Sequence, residues 1–90
     1  MTDLTTDERS TILHALGLTP VNGKMPRWSH RNYYAGESAT CAGLAQQGRM
    51  RRYAEPREWL PDSLYCVTAA GVIAAGVGNR VRKEDMVGKQ

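Results

Sequence analysis

Ser29 and His30 adjoin in the chain, which puts a hydroxyl nucleophile beside an imidazole base. Acyl-transfer chemistry needs more than that pair. It needs a third group to orient the base, and backbone donors for the oxyanion. The surrounding residues, KMPRWSHRNYY, form no strand-turn-helix elbow and no glycine-built nest, so the pair does not read as catalytic. The stretch Gly71 to Gly78 copies the glycine spacing of a phosphate-binding loop, but Val77 stands where lysine is required and no Ser or Thr follows to hold magnesium. The soft ligands Cys41, Cys66, His14 and His30 are scattered singly, whereas zinc sites draw on closely spaced pairs. The expectation is a non-enzymatic protein with no metal and no cofactor.

A different chemistry is concentrated between residues 27 and 34. Trp28, His30, Arg31, Tyr33 and Tyr34 form the densest group of interaction-prone side chains in the chain. Trp, Tyr and Arg dominate binding hot spots because they bury much area with few torsions to freeze and keep a polar handle. The competing reading is that Trp28, Tyr33 and Tyr34 fill the core of a protein that has no Phe. Trp59, between Pro56 and Pro61, reads as exposed.

The elements that must position these residues come from a chain of 90 residues, 41% hydrophobic, which leaves room for one domain only. At this size folding hides roughly 60% of the chain's surface, so the core is thin. Six aromatics in all make a deep ring-walled pocket hard to build, and a binding surface is the better expectation. Between Lys24 and Arg57 seven cations face two anions, and nine of the twelve cations in the chain are Arg. A planar guanidinium fork suits phosphate and carboxylate alike, so the partner is either an acidic protein face or a nucleic acid.

Thr5 and Glu8 are spaced as a capping box, opening a helix over residues 6–16 with Ile12, Leu13 and Leu16 on its apolar face and Gly17 as its stop. Residues 18–37 show no sustained period and read as a long loop, with one helical turn around 29–34. Ser38 reads as the cap of a second helix, 39–47, followed by a strand over 50–53, a proline-bracketed turn over 55–62 and a returning strand over 63–67. Thr68 caps a third helix from 69 to about 77. The domain then spans 1–77, and the polar tail 78–90 frays unless Val81 and Met86 dock. Leu13, Leu16, Leu44, Tyr65 and Val67 are the expected core, and Cys41 and Cys66 are expected to be buried, reduced thiols.

The 17 uncharged residues between Asp62 and Arg80 are rich in Ala and Gly, so they read as a buried strand and helix rather than a membrane span. Met1 to Leu4 supplies no basic or apolar leader, and a cytoplasmic location is expected.

The segment LAQQGRMRRY, 44–53, resembles the end of the recognition helix and the first wing strand of winged-helix proteins. LYCVTAAGVIAAG, 64–76, resembles their second wing strand and following helix, with Tyr65, Val67, Thr68 and Gly71 matching the pattern Tyr-x-Leu-Thr-x-x-Gly. RNYYAGE, 31–37, is similar to small proteins of tailed phages and prophages. The resemblance implies an α+β fold, a small winged-helix-like domain of three helices and a two-stranded antiparallel hairpin.

It leaves two functions open. In the first, a phage or prophage accessory protein binds a host or phage protein through Trp28, Arg31, Tyr33, Tyr34, Arg49, Arg51 and Arg52. In the second, a DNA-binding regulator reads bases with Thr40, Gln46 and Gln47 while Arg51 and Arg52 hold phosphate. Charge favours the first. The helix that would enter the groove has no Lys or Arg, and the turn with Glu55, Arg57, Glu58 and Asp62 is net negative, which repels phosphate.

Overall fold

The computed structural model describes residues 4–35, 39–54 and 64–86, and at 53 and 54 the backbone alone. The protein is a small α+β domain in which four α-helices and a three-stranded antiparallel sheet are described.

Helix α1, Thr6–Leu16, begins as its sequence dictates. The Thr5 hydroxyl accepts from the Glu8 N–H at 3.1 Å, and the Glu8 carboxylate accepts from the Thr5 N–H at 2.9 Å. This reciprocal pair satisfies two of the donors that a helix start leaves open. At the other end Gly17 turns left-handed at φ 73°, its N–H bonds to His14, and the Leu18 N–H bonds back to Leu13 at 2.8 Å. Leu18 is thereby driven into the core.

The same hydrogen-bond pattern closes α2, Ala39–Gln46, and α3, Ala69–Ala75. In α3 the residue following the glycine is Val77, buried like Leu18; in α2 it is Arg49, half-buried. Thr68 caps α3 by accepting from the Gly71 N–H at 3.2 Å. α1 contacts both α2 and α3 and lies against the sheet.

The sheet corrects the hairpin expectation. β2, Met50–Ala54, pairs with β3, Leu64–Val67, as expected, but a short strand β1, Tyr34–Ala35, adds to the other edge, giving the order β1-β3-β2. The helical turn expected around 29–34 is absent. Those residues form no regular element before β1, and their polar groups bond outward, to α1, to β3 and to the C-terminal segment. Tyr34 pairs with Tyr65, and Tyr65 with Arg52, so one row crosses all three strands. Tyr65 and Val67 turn to the core as their alternation requires, and Cys66 between them is buried as well.

The core is Ile12, Leu13, Ala15, Leu16 and Leu18 with Cys41, Leu44, Met50, Tyr65, Val67, Val72, Ala75 and Val77. It contains all five residues expected at its centre. Both cysteines are buried and free.

The C-terminal segment is ordered beyond residue 77. A 3-10 turn, Gly78–Arg80, and a short helix α4, Lys83–Met86, carry Val81 and Met86 back against the core. The docking condition is met for Val81 and Met86. Ser38, the turn 55–62 with Trp59, and residues 87–90 lie outside the described residues. Among the described residues no helix is long and apolar enough to cross a membrane.

Candidate interaction surface

The segment from Pro26 to Tyr34 alternates anchors with displayed side chains. Ser29 and Asn32 are buried polar residues, and each is fully used. The Ser29 hydroxyl donates to the Asp85 carboxylate and accepts from the Arg82 N–H at 3.0 Å. That bonding makes Ser29 a fastening for the C-terminal segment, and His30 beside it is exposed with its ring against Gly17.

The Asn32 side chain accepts from the Val67 N–H at 2.7 Å and donates to the Val67 carbonyl at 3.0 Å. Counting back from the Tyr34 and Tyr65 pair, Asn32 sits opposite Val67, so its amide completes the ladder where β1 has ended. Backbone bonds add to these. The N–H groups of Ser29, His30 and Tyr33 donate to the carbonyls of Arg80, Leu16 and Ala15.

Between the anchors, aromatic and cationic side chains face solvent. Trp28 is 42% exposed and Tyr33 43% exposed, so neither serves as core. The Arg27 guanidinium lies over the Trp28 ring at 4.8 Å, and that of Arg31 over Tyr33 at 5.4 Å. Each stack restricts a long side chain and adds about 0.5–1 kcal/mol at an exposed site. Arg31 also donates twice to the His14 carbonyl, at 3.2 and 2.7 Å, placing a cation at the C-terminal end of α1 where the helix dipole favours it.

Tyr34 is half-buried, edge-on to His14 at 5.4 Å. Its strand register brings it into one row with Tyr65 and Arg52, and the Arg52 guanidinium sits 5.8 Å from the Tyr65 ring. Arg51 and Arg52 are both exposed on β2.

Other expected site residues lie elsewhere. Arg49 donates to the Gln47 side chain at 2.9 Å, and Gln47 donates to the Glu8 carboxylate at 3.0 Å. Gln47 and Arg49 therefore link the end of α2 to the start of α1. Gln46 is exposed and Thr40 half-buried on α2.

The Thr5 N–H, then Gln47, then the Thr5 hydroxyl and the positive charge of Arg49 hold the Glu8 carboxyl below its ordinary value. A depressed carboxylate contributes stability that is complete above the ordinary carboxyl pKa and is lost as pH falls through the lowered one. Gln47→Ala removes the second of these causes, so the Glu8 carboxyl titrates at higher pH in the variant, as read by NMR pH titration of its side-chain carbonyl.

Six contributors have no local sequence signal. Asn32 looks like an ordinary loop residue until its partner 35 positions away is known. Arg27 joins the surface by stacking on Trp28. Val81, Arg82, Lys83 and Glu84 come beside Trp28 and enclose with it a depression of about 470 Å³, because Ser29 pins the C-terminal segment there.

Comparison with protein-family models, curated proteins and solved structures finds no match to this chain.

Proposed function

We propose that this chain is a non-enzymatic protein-binding module, a small phage or prophage accessory protein that engages a host or phage protein in the host cytoplasm and modulates a host machine. The winged-helix resemblance of residues 40–76 supplies the scaffold in this reading. One observation carries it. Trp28 and Tyr33, each with an arginine stacked on it, stand exposed on a segment fastened between them by the backbone N–H groups of Ser29 and His30 and by the side chains of Ser29, Arg31 and Asn32. Exposed aromatic and arginine side chains held in place before binding lose little entropy when a partner covers them. A purely structural role for these rings would have buried them.

The DNA-binding regulator remains the second reading, supported by exposed Gln46, Arg51 and Arg52. Gln47, another of its three base readers, is already engaged with Glu8 and Arg49, which weakens it.

Capture from a bacterial lysate by the tagged protein separates the two. The expected result is a single protein retained by wild type and lost at least tenfold on Trp28→Ala or Tyr33→Ala, with circular dichroism unchanged. Tyr33 is a more informative position than Tyr34, because Tyr34 is tied into the sheet and packs on His14. Recovery of nucleic acid alone, with steep loss of random duplex binding as salt rises, overturns the protein-binding reading and supports the regulator.

A further inference from the structure

Beside the Trp28 depression lies a second concavity of about 470 Å³, walled by Ala69, Val72 and Ile73 of α3 on one side and by Val81 and Met86 on the other. Val81, Arg82 and Lys83 line both hollows, so the two form one continuous surface across the C-terminal segment. The floor is apolar. Ile73 at the rim is 75% exposed, the most exposed of the large hydrophobic side chains described.

The charged side chains described along its lining are both cations. The hollow over α3 has Arg82 and Lys83 on its border and no carboxylate among its described lining residues; Glu84 lines only the Trp28 side, where Arg27 covers the ring. The Asp85 carboxylate, which is not among the described lining residues of either hollow, accepts from the Ser29 hydroxyl on the side of the 27–34 segment and keeps its charge.

We propose that this groove docks an acidic amphipathic segment of the partner protein, with apolar side chains between α3 and Met86 and carboxylates on Arg82 and Lys83. An amphipathic helix with apolar anchors at i, i+3, i+4 and i+7 is the usual occupant of such an apolar groove, and the cations select its acidic form. A second copy of this chain is disfavoured, because it brings a formal charge of +3 to a rim that is already positive. The inference rests on the protein-binding reading above only in taking the ligand to be a protein segment.

The test uses the full chain, isotopically labelled for NMR, and two synthetic 14-residue peptides. Both carry Leu at the same i, i+3, i+4 and i+7 positions, with Glu at the remaining positions in one and Lys in the other. The acidic peptide is expected to shift the amides of Ile73, Val81 and Lys83 saturably and to bind at least tenfold more tightly than the basic one. Ile73→Glu, at a position too exposed to carry the core, and Arg82→Glu with Lys83→Glu, each cost at least tenfold. Equal binding of the two peptides, shifts away from the groove, or no shift at millimolar peptide overturns the proposal. So does groove binding to vesicles containing phosphatidylglycerol with no response to either peptide, which would assign the surface to anionic lipid. The peptide readout needs no native partner. Its failure overturns the groove and leaves capture through Trp28 and Tyr33 standing, whereas failed capture with intact peptide binding overturns the loop reading alone.

Discussion

Replacing Gly71 by alanine is expected to lower stability by about 3 kcal/mol, at the upper end of what overpacking costs. A Cβ on Gly71 would collide with the carbonyl oxygen of Arg49 and reach the Val67 side chain at 2.7 Å. The Arg49 carbonyl cannot give way freely, because it accepts from the Thr68 N–H at 3.1 Å, the bond that leads from β3 into α3. Relief therefore requires α3 to move off the sheet.

A chain of this length has about 5–13 kcal/mol of total stability, so the loss is a large fraction. Thermal denaturation should show the midpoint falling by roughly 12–24 °C. Gly43→Ala in α2 is the control: a Cβ there meets nothing within 4 Å, and the helix gains from the substitution by about 0.5–1 kcal/mol. If the two alanine variants melt together, close approach at Gly71 is not what that glycine provides.

Asn32→Leu is the second large effect, expected to cost about 3 kcal/mol. Leucine has similar bulk but offers neither bond, leaving the N–H and the carbonyl of buried Val67 without their partner. Each unsatisfied buried group costs about 1–3 kcal/mol. The variant should also loosen the displayed segment, since the Asn32 amide is its side-chain link to β3. Urea denaturation measures the first effect. The second is read as faster amide exchange at Tyr33 and as weakened partner capture even though Trp28 and Tyr33 are unchanged. An Asn32→Leu protein as stable as wild type would remove Asn32 from its anchoring role.

These two positions mark how far the sequence could be read. Helix α1 was legible to the residue, because Thr5, Glu8 and Gly17 are local signals that act within one turn of the helix they bound. Thr68 was legible for the same reason, and the β2 and β3 pairing followed from two short strand-like runs, MRRY and SLYCV, on either side of a proline-bracketed turn. β1 was not. Its two residues are too few to show alternation, and its place is fixed by Tyr65 and by Asn32 reaching Val67 across the chain. The 3-10 turn and α4 were hidden likewise, since Ser29 and Asp85, 56 residues apart, hold that segment in place.

The same division runs through the site. Trp28, Arg31, Tyr33 and Tyr34 could be named from residue type alone. Which of them face solvent depended on the anchors: Tyr34 is drawn into the sheet, while Trp28 and Tyr33 remain outside. By residue type alone Arg49 and Gln47 suit contact with a partner. Their nearest charge and hydrogen-bond partners turned out to be each other and Glu8.

The central claim is that residues 27–34 are held ready in the free protein, and native-state hydrogen exchange tests it most directly. The amides of Ser29, His30 and Tyr33 donate to Arg80, Leu16 and Ala15, so they should exchange with protection close to that of the α1 amides around Leu13 and Leu16. Exchange at these three amides near the unprotected rate, while α1 stays protected, would contradict the account: the segment would then order only on binding.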